Sequence, residues 1–349
     1  MTSPELNRNS EEDFTSIPVI DISNNNQTEL AQQLWDAARN VGFFTIINHS
    51  IPPSQIDNLF HLSTQFFKLD PNVKHQYPFN VEKNSGYEYM TQKPPTTGVV
   101  DLKETFQVTA REGCMDNLWP TTDDNNEGKE EKEGDHQELA SFQNVTMDFI
   151  NNTHTLACRI LSLLESKACP HVAPGTLANS HQLWGKDGQC TLRLLHYPPT
   201  TTTPSSNDAE NDDTSETTRW RCGAHTDWGS LTLLFQRMGE DGLECQRRTI
   251  DDNSESWVEV PPIEGGITVN IGDMLMRWSD KRLYSNSHRV RMPKSTSATE
   301  EATAPSKSRY SIAFFLQADK SALIENTTNE PITAGEYFAE RINAHFADE

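Results

Sequence analysis

His225 and Asp227 stand two residues apart in the run Ala224-His-Thr-Asp-Trp-Gly229, and His288 follows much later in Ser287-His-Arg-Val290. Residues i and i+2 of an extended strand point to the same face, so His225 and Asp227 can share one ion. A His288 arriving on a neighbouring strand completes a set of two imidazoles and one carboxylate. That set leaves coordination positions open, which is the facial arrangement of a non-haem Fe(II) site that activates O2. Arg309 and Ser311 alternate in the same way on a later stretch. A guanidinium and a hydroxyl on one strand face suit a carboxylate, which Arg can bind bidentately. The combination points to an iron enzyme that holds a carboxylic-acid cosubstrate.

In a chain with 11 His, a His-x-Asp pair alone arises easily on a polar surface. The contexts separate this pair from that bland reading. Leu231-Thr-Leu-Leu-Phe235 follows it as a buried strand should, and Gly265-Gly-Ile-Thr-Val-Asn-Ile-Gly-Asp273 reads as a strand ended by a turn ahead of His288. Tyr310-Ser-Ile-Ala-Phe-Phe-Leu316 is a third β-type apolar run, adjoining the Arg/Ser pair.

The elements that must position these groups fall into two styles. Thr28 to Asn40 reads as a helix with Leu30, Leu34 and Ala38 on one face, closed near Gly42, and Phe43 to Ile47 as a strand. Ser54 to Leu69 is a second helix stopped by Pro71. A long amphipathic helix is predicted from about Gln137 to Ala168, its inner stripe Phe142, Val145, Phe149, Leu156, Ile160 and Leu163. From about Cys190 the period changes to short strands broken by Gly, Pro and polar loops, the pattern of a sandwich or jelly roll. Thr333-Ala-Gly-Glu336 has the form of a capping box for a last helix through Phe346. The expected fold is thus mainly β with flanking helices: a double-stranded β-helix (jelly-roll) core and a helical, mixed N-terminal region. The expected division is a disordered tail (1–16), an N-terminal region (17–120), an acidic loop (121–136), a long helix and connection (137–189), the catalytic core (190–320, with polar insertions at 200–219 and 293–308) and a C-terminal helix (321–349).

With 349 residues the chain can bury a substantial core. Its net charge of −22, from 29 Lys+Arg against 51 Asp+Glu, argues against a nucleic-acid partner, which needs a basic footprint. No apolar run approaches the roughly 18 residues of a membrane span, and the polar, acidic start is unlike a secretory signal. The six Cys show no paired spacing and read as reduced thiols. The expectation is a cytoplasmic monomer acting on a small molecule.

At these residues the chain resembles the iron(II)/2-oxoglutarate-dependent dioxygenases, in the branch that includes isopenicillin N synthase. The likeness begins at Ile17-Pro-Val-Ile-Asp21 and continues through Gly42-Phe-Phe-Thr-Ile-Ile-Asn-His-Ser-Ile-Pro52, Phe66-Phe-Lys-Leu69, Ser85-Gly-Tyr87 and Asp101-Leu-Lys-Glu-Thr-Phe106. The later half adds Leu192-Arg-Leu-Leu-His-Tyr-Pro198, His225-Thr-Asp227, Asn270-Ile-Gly-Asp273, Ser287-His-Arg-Val290 and Arg309-Tyr-Ser311. The resemblance implies Fe(II) held by His225, Asp227 and His288, with 2-oxoglutarate and O2 as cosubstrates and ascorbate as a reductant. It implies that Arg309 and Ser311 bind the distal carboxylate of 2-oxoglutarate, helped by the Tyr197 hydroxyl. The implied reaction breaks an unactivated C–H bond by hydroxylation, desaturation or oxidative cyclisation, releasing succinate and CO2. Members of the family act on many specialised metabolites, and a biosynthetic role is expected here.

Two departures stand out. The family often has Asn where this chain has Leu195, and the Arg/Ser pair comes late after the last His, which the polar stretch Pro293 to Ser308 explains as a loop insertion. Arg193 shares the parity of Leu195 and Tyr197 and is a candidate cosubstrate or substrate contact, with a structural ion pair as the equal alternative. Tyr87, Tyr89, Met90 and Phe106 are candidate substrate contacts weighed against ordinary core packing. Arg277 is a candidate for a carboxylated substrate. His196 and Arg289 should face away from the site. Two other readings stay open: an oxidase like isopenicillin N synthase that needs no 2-oxoglutarate, and a catalytically silent β-barrel binding module.

Overall fold

The structure is a computed structural model that describes residues 16–92, 100–120, 139–199, 220–247, 256–293 and 307–347. The predicted tail (apart from Ser16), the acidic loop 121–136, the insertion 200–219 and most of the insertion 293–308 lie outside the described residues.

In chain order the elements are β1 (Val19–Asp21), α1 (Gln27–Asn40), β2 (Phe43–Ile47), α2 (Pro53–Lys68), α3 (Pro71–Lys74), β3 (Gly86–Tyr89) and β4 (Glu104–Thr109). There follow α4 (Phe142–Ala168), α5 (Thr176–Asn179), β5 (Thr191–Tyr197), β6 (Cys222–His225), β7 (Leu231–Gln236), β8 (Leu243–Gln246) and β9 (Trp257–Glu259). The chain ends with β10 (Ile267–Ile271), α6 (Asp273–Trp278), β11 (His288–Val290), β12 (Arg309–Leu316), β13 (Leu323–Ile324), β14 (Ile332–Thr333) and α7 (Ala334–Ala347).

Twelve of these strands form two facing sheets, one of eight in the order β1-β2-β10-β7-β12-β5-β4-β3 and one of four in the order β6-β11-β8-β9. The period-2 alternation of β5, β7, β10 and β12 gives the large sheet two different faces. One face, carrying Phe106, Leu194, Phe235, Ile312 and Phe314, packs on Leu59 and Phe66 of α2 and Phe149 and Ile160 of α4. The other, carrying Phe43, Leu195, Tyr197 and Ala313, meets Cys222, Leu243, Cys245 and Val290 of the small sheet. This is the jelly-roll core with flanking helices, and the space between its sheets is where polar groups of the site converge. The N-terminal strands extend the large sheet at both edges, β1 and β2 at one and β4 and β3 at the other.

Local chemistry explains the element ends. Leu30, Leu34 and Ala38 of α1 are fully buried. Gly42 then turns the chain at φ +75°, where an added Cβ would sit 2.2 Å from the Tyr284 carbonyl oxygen. Only glycine meets both conditions. The long helix α4 starts at Phe142, later than the predicted Gln137, and Val145 and Leu163 of its predicted stripe are only partly buried while Ile150 and Leu164 are fully so. The capping box forms: the Glu336 amide donates to Thr333 Oγ1 (3.2 Å), and the Thr333 amide donates back to Glu336 Oε2 (3.0 Å). The residues before it form the β13–β14 hairpin rather than helix. No helix among the described residues is long and apolar enough to cross a membrane.

Candidate active site

His225 closes β6 and His288 opens β11, and the two stand directly opposite in the antiparallel register. Their rings lie 4.3 Å apart. Asp227 lies just past the end of β6, in the connection to β7, so loop geometry rather than strand parity delivers its carboxylate. Asp227 Oδ1 is 4.0 Å from His225 Nε2 and 3.8 Å from His288 Nε2. One donor atom from each of the three residues falls within 4.8 Å of the others.

The orientation of each donor is fixed from behind. His225 Nδ1 sits 2.7 Å from the Gly223 carbonyl oxygen and His288 Nδ1 3.3 Å from that of Asn286. A ring whose Nδ1–H donates to a carbonyl presents Nε2 as a lone pair. Asp227 Oδ2 accepts from Thr232 Oγ1 at 2.5 Å and from Asn270 Nδ2 at 2.8 Å, leaving Oδ1 toward the imidazoles. Thr232 and Asn270 are a cross-strand pair of β7 and β10, so the large sheet aims the carboxylate while the small sheet carries the rings. Burial alone would push the Asp227 carboxyl up, but the two imidazoles and the Asn270 and Thr232 hydrogen bonds outweigh it and hold it low. Burial, reinforced by His225, pulls His288 down to about 4, so its imidazole is neutral at pH 7. The loop is clamped where the first turn of α6 donates to its carbonyls, Asp273 N to Asp227 O at 2.8 Å. At Gly272 a Cβ would lie 2.2 Å from the Gly229 oxygen, so the loop passes there only over glycine.

Arg309 opens β12 opposite Tyr197, and Ser311 follows on the same face. Both are 1 % exposed. Arg309 donates from Nε to the Glu240 carbonyl (3.0 Å), from Nη1 to Ser311 Oγ (3.3 Å) and from Nη2 to Gln236 Oε1 (3.1 Å), and its guanidinium lies 5.0 Å from the Tyr197 ring. Among the described residues no carboxylate stands at ion-pair distance from it.

The remaining candidates separate by face. Arg193 points between the sheets; its Nε donates to Gln107 Oε1 (2.7 Å) and its guanidinium lies 5.3 Å from the Phe315 ring. Burial pulls its pKa down, while the charges of Glu88 and Asp227 push it up, which places it in the electrostatic reach of the ligand set. Tyr87 and Phe106 lie on the opposite, helix-packed face. The Phe106 ring is 4.6 Å from that of Phe66, and the Tyr87 hydroxyl donates to Glu104 Oε2 at 2.5 Å. Tyr89 is 47 % exposed on the same parity as Tyr87, so the side chain that β3 turns inward is Glu88. Met90 follows the strand at positive φ. Arg277 sits on α6 with Nη2 on the Glu330 carbonyl, outside the space between the sheets. Tyr87, Phe106 and Arg277 therefore do not line this site. His196 and Arg289 face away from it, His196 onto Glu104 Oε1 (2.6 Å) and Arg289 between Trp220 and Trp257 with Nε on Glu244.

Thr232, Gln236, Asn270 and Gln107 are the contributors that sequence reasoning passed over. Their signal was a polar residue inside an apolar strand, with Asn270 between Val269 and Ile271 the clearest case.

Residues 17–126 match the family described as non-haem dioxygenase in morphine synthesis N-terminal, and residues 188–318 match the 2OG-Fe(II) oxygenase superfamily. The chain is 27 % identical to the 2-oxoglutarate-dependent dioxygenase ucsF of Acremonium sp, over 93 % of this chain and 98 % of that protein. It is also 27 % identical to the 2-oxoglutarate-dependent dioxygenase tropC of Talaromyces stipitatus, over 88 % of each. Among solved structures it is similar to a full-length Neurospora crassa protein crystallised in complex with alpha-KG and 5-formyluracil, with a TM-score of 0.70, 26 % identity, and coverage of 99 % of this chain and 100 % of that one.

Proposed function

Because the chain belongs to the 2OG-Fe(II) oxygenase superfamily, whose members are oxidoreductases using Fe(II), 2-oxoglutarate and O2, we propose that His225, Asp227 and His288 hold the iron and that Arg309, Ser311 and Tyr197 hold 2-oxoglutarate. The donor set fits the metal: two Nε2 atoms and one carboxylate oxygen converge, and each is fixed by a hydrogen bond on its far side. The cosubstrate pocket fits as well. A buried guanidinium without a carboxylate partner is costly unless a ligand supplies the anion. That buried Arg309, with no carboxylate at ion-pair distance among the described residues and with Ser311 on the same face, is the observation that carries the reading.

Iron(II) with bound 2-oxoglutarate supplies the oxidising power toward a C–H bond, with succinate and CO2 released. The protein's own part is orientation and exclusion of water. Asp227 is turned by Asn270 and Thr232, Arg309 neutralises the distal carboxylate, and the Phe43 ring, 5.4 Å from that of His288, closes one wall. Arg193, braced by Gln107 and lying against Phe315, is the group that receives the substrate. It suits a small molecule presenting a carbonyl or carboxylate oxygen, in keeping with a specialised-metabolite substrate.

The test is succinate release from 2-oxoglutarate under air, with and without Fe(II), in the wild type and in Arg309→Gln. Iron-dependent succinate lost in Arg309→Gln supports the proposal. Iron bound without 2-oxoglutarate binding or succinate would replace it with the oxidase reading.

A further inference from the structure

Arg221 stands four residues before His225 and is 3 % exposed. Its Nη2 donates to the Lys307 carbonyl at 2.7 Å, and its Nε is buried with no hydrogen-bond partner. Its guanidinium lies 6.0 Å from the same Tyr197 ring that Arg309 approaches at 5.0 Å. Two buried cations thus share one tyrosine.

Among the described residues the neighbouring acids offset these charges only in part, since the Glu240 carboxylate is shared among Arg237, Arg309 and Arg221. Lys103 is matched by Asp101 at 2.7 Å. Glu240, the nearby acid, accepts the Tyr310 amide at 2.5 Å and pairs with Arg237 at 3.5 Å. Among the described residues no carboxylate reaches ion-pair distance of Arg221 or Arg309. Burial first, and then the charge of Arg309, pull Arg221 down to about 10, still well above pH 7, so the two guanidinium groups repel. Two desolvated like charges with no carboxylate at ion-pair distance among the described residues mark a place where an anion belongs.

We propose that Arg221 is a second cationic contact for the distal carboxylate of 2-oxoglutarate, so that the pocket selects a dicarboxylate over a 2-oxo acid lacking that group. This rests on the cosubstrate reading of Arg309, Ser311 and Tyr197 given above. Three of the N–H groups of Arg309 already go to Glu240, Ser311 and Gln236. A carboxylate offers about four acceptor sites, more than the remainder of Arg309 and one hydroxyl can fill. The orphaned Nε of Arg221 supplies a further donor. Because Arg221 leads directly into β6, one short segment would then grip both ends of the cosubstrate, its carboxylate through Arg221 and its metal through His225.

The experiment measures dissociation constants for 2-oxoglutarate and for 2-oxobutyrate by calorimetry on full-length protein loaded with Mn(II). Wild type is compared with Arg221→Gln, Arg221→Lys and Arg309→Gln. Arg221→Gln is expected to weaken 2-oxoglutarate about 10- to 100-fold, the scale of a lost hydrogen bond to a charged group, and to leave 2-oxobutyrate and Mn(II) unchanged. Equal loss for both acids, or no loss for either, would overturn the proposal and make Arg221 a structural partner of Lys307. If Arg221→Gln does not fold, Arg221→Lys carries the test, with a several-fold loss expected for 2-oxoglutarate alone. Retention of 2-oxoglutarate by Arg309→Gln would instead sink the cosubstrate reading itself.

Discussion

Replacing Asn270 with Leu should loosen the metal without unfolding the protein. Asn270 is 3 % exposed on β10, and its Nδ2 donates to Asp227 Oδ2 at 2.8 Å. Leucine has the same branched heavy-atom skeleton, so the change removes one charge-assisted hydrogen bond while keeping the side chain's outline. Such a bond contributes about 1.5 to 3 kcal/mol, and loss of a group orienting a metal ligand typically costs about 10- to 100-fold in affinity. Both routes give the same expectation, a 10- to 100-fold rise in the dissociation constant for Co(II) or Mn(II), since about 1.4 kcal/mol corresponds to tenfold. Thr232→Val removes the second hydrogen bond to the same oxygen, at 2.5 Å. The pair should be non-additive, because both bonds act on the same carboxylate oxygen. Competition against a chromophoric chelator, on protein whose melting curve shows it folded, gives the number. An affinity within about threefold of wild type for both variants would refute the idea that the large sheet aims Asp227.

Other consequences follow from the same contacts. Burial pulls His181 down to about 4 from its ordinary 6.5, and its ring sits between the Leu177 carbonyl and Ser230 Oγ, 2.6 and 2.7 Å away. The unfolded chain therefore takes up a proton that the folded one refuses, so stability should fall as pH drops from about 6.5 toward 4, by roughly 2 to 3 kcal/mol at pH 4.5. Urea titrations at neutral pH and at about pH 4.5 should show a smaller loss in His181→Gln. Glu104 receives Lys74 (2.7 Å), Tyr87 (2.5 Å) and His196 (2.6 Å) on the helix-packed face. Glu104→Gln should cost about 3 to 5 kcal/mol by stranding the buried ammonium, yet leave the metal affinity of the folded fraction intact. Gly272→Ala should displace the loop holding Asp227, lowering stability by about 1 to 3 kcal/mol and weakening metal binding, both readable by thermal shift with and without Mn(II).

The candidate ligand set was legible because its chemistry is carried by residue types at short spacing. His225 and Asp227 announce themselves, and the β-type runs around His288 and Arg309 show which strands must deliver them. The capping box at Thr333 and Glu336 and the Leu30–Leu34–Ala38 face of α1 were legible for the same local reason. Period-2 alternation also groups Arg193, Leu195 and Tyr197 on one face. It cannot say which face of a two-faced sheet looks at the metal, and that is why Tyr87 and Phe106 stand among the substrate contacts the sequence suggests. Their face is set by α2 and α4 packing over them, a tertiary fact. Asn270 and Thr232 show in the sequence only as polar residues inside apolar strands, because their partner, Asp227, is reached only through the β7–β10 register. Arg221 is silent because burial, not sequence spacing, makes its charge unusual.

The most direct test of the central claim is the visible spectrum of the protein under anaerobic Fe(II) as 2-oxoglutarate is added. A weak metal-to-ligand charge-transfer band that saturates with 2-oxoglutarate, is absent in Asp227→Ala and needs far more cosubstrate in Arg309→Gln is the expected result. A band that survives unchanged in either variant, or iron bound with no band at any 2-oxoglutarate concentration, would contradict the assignment of these residues.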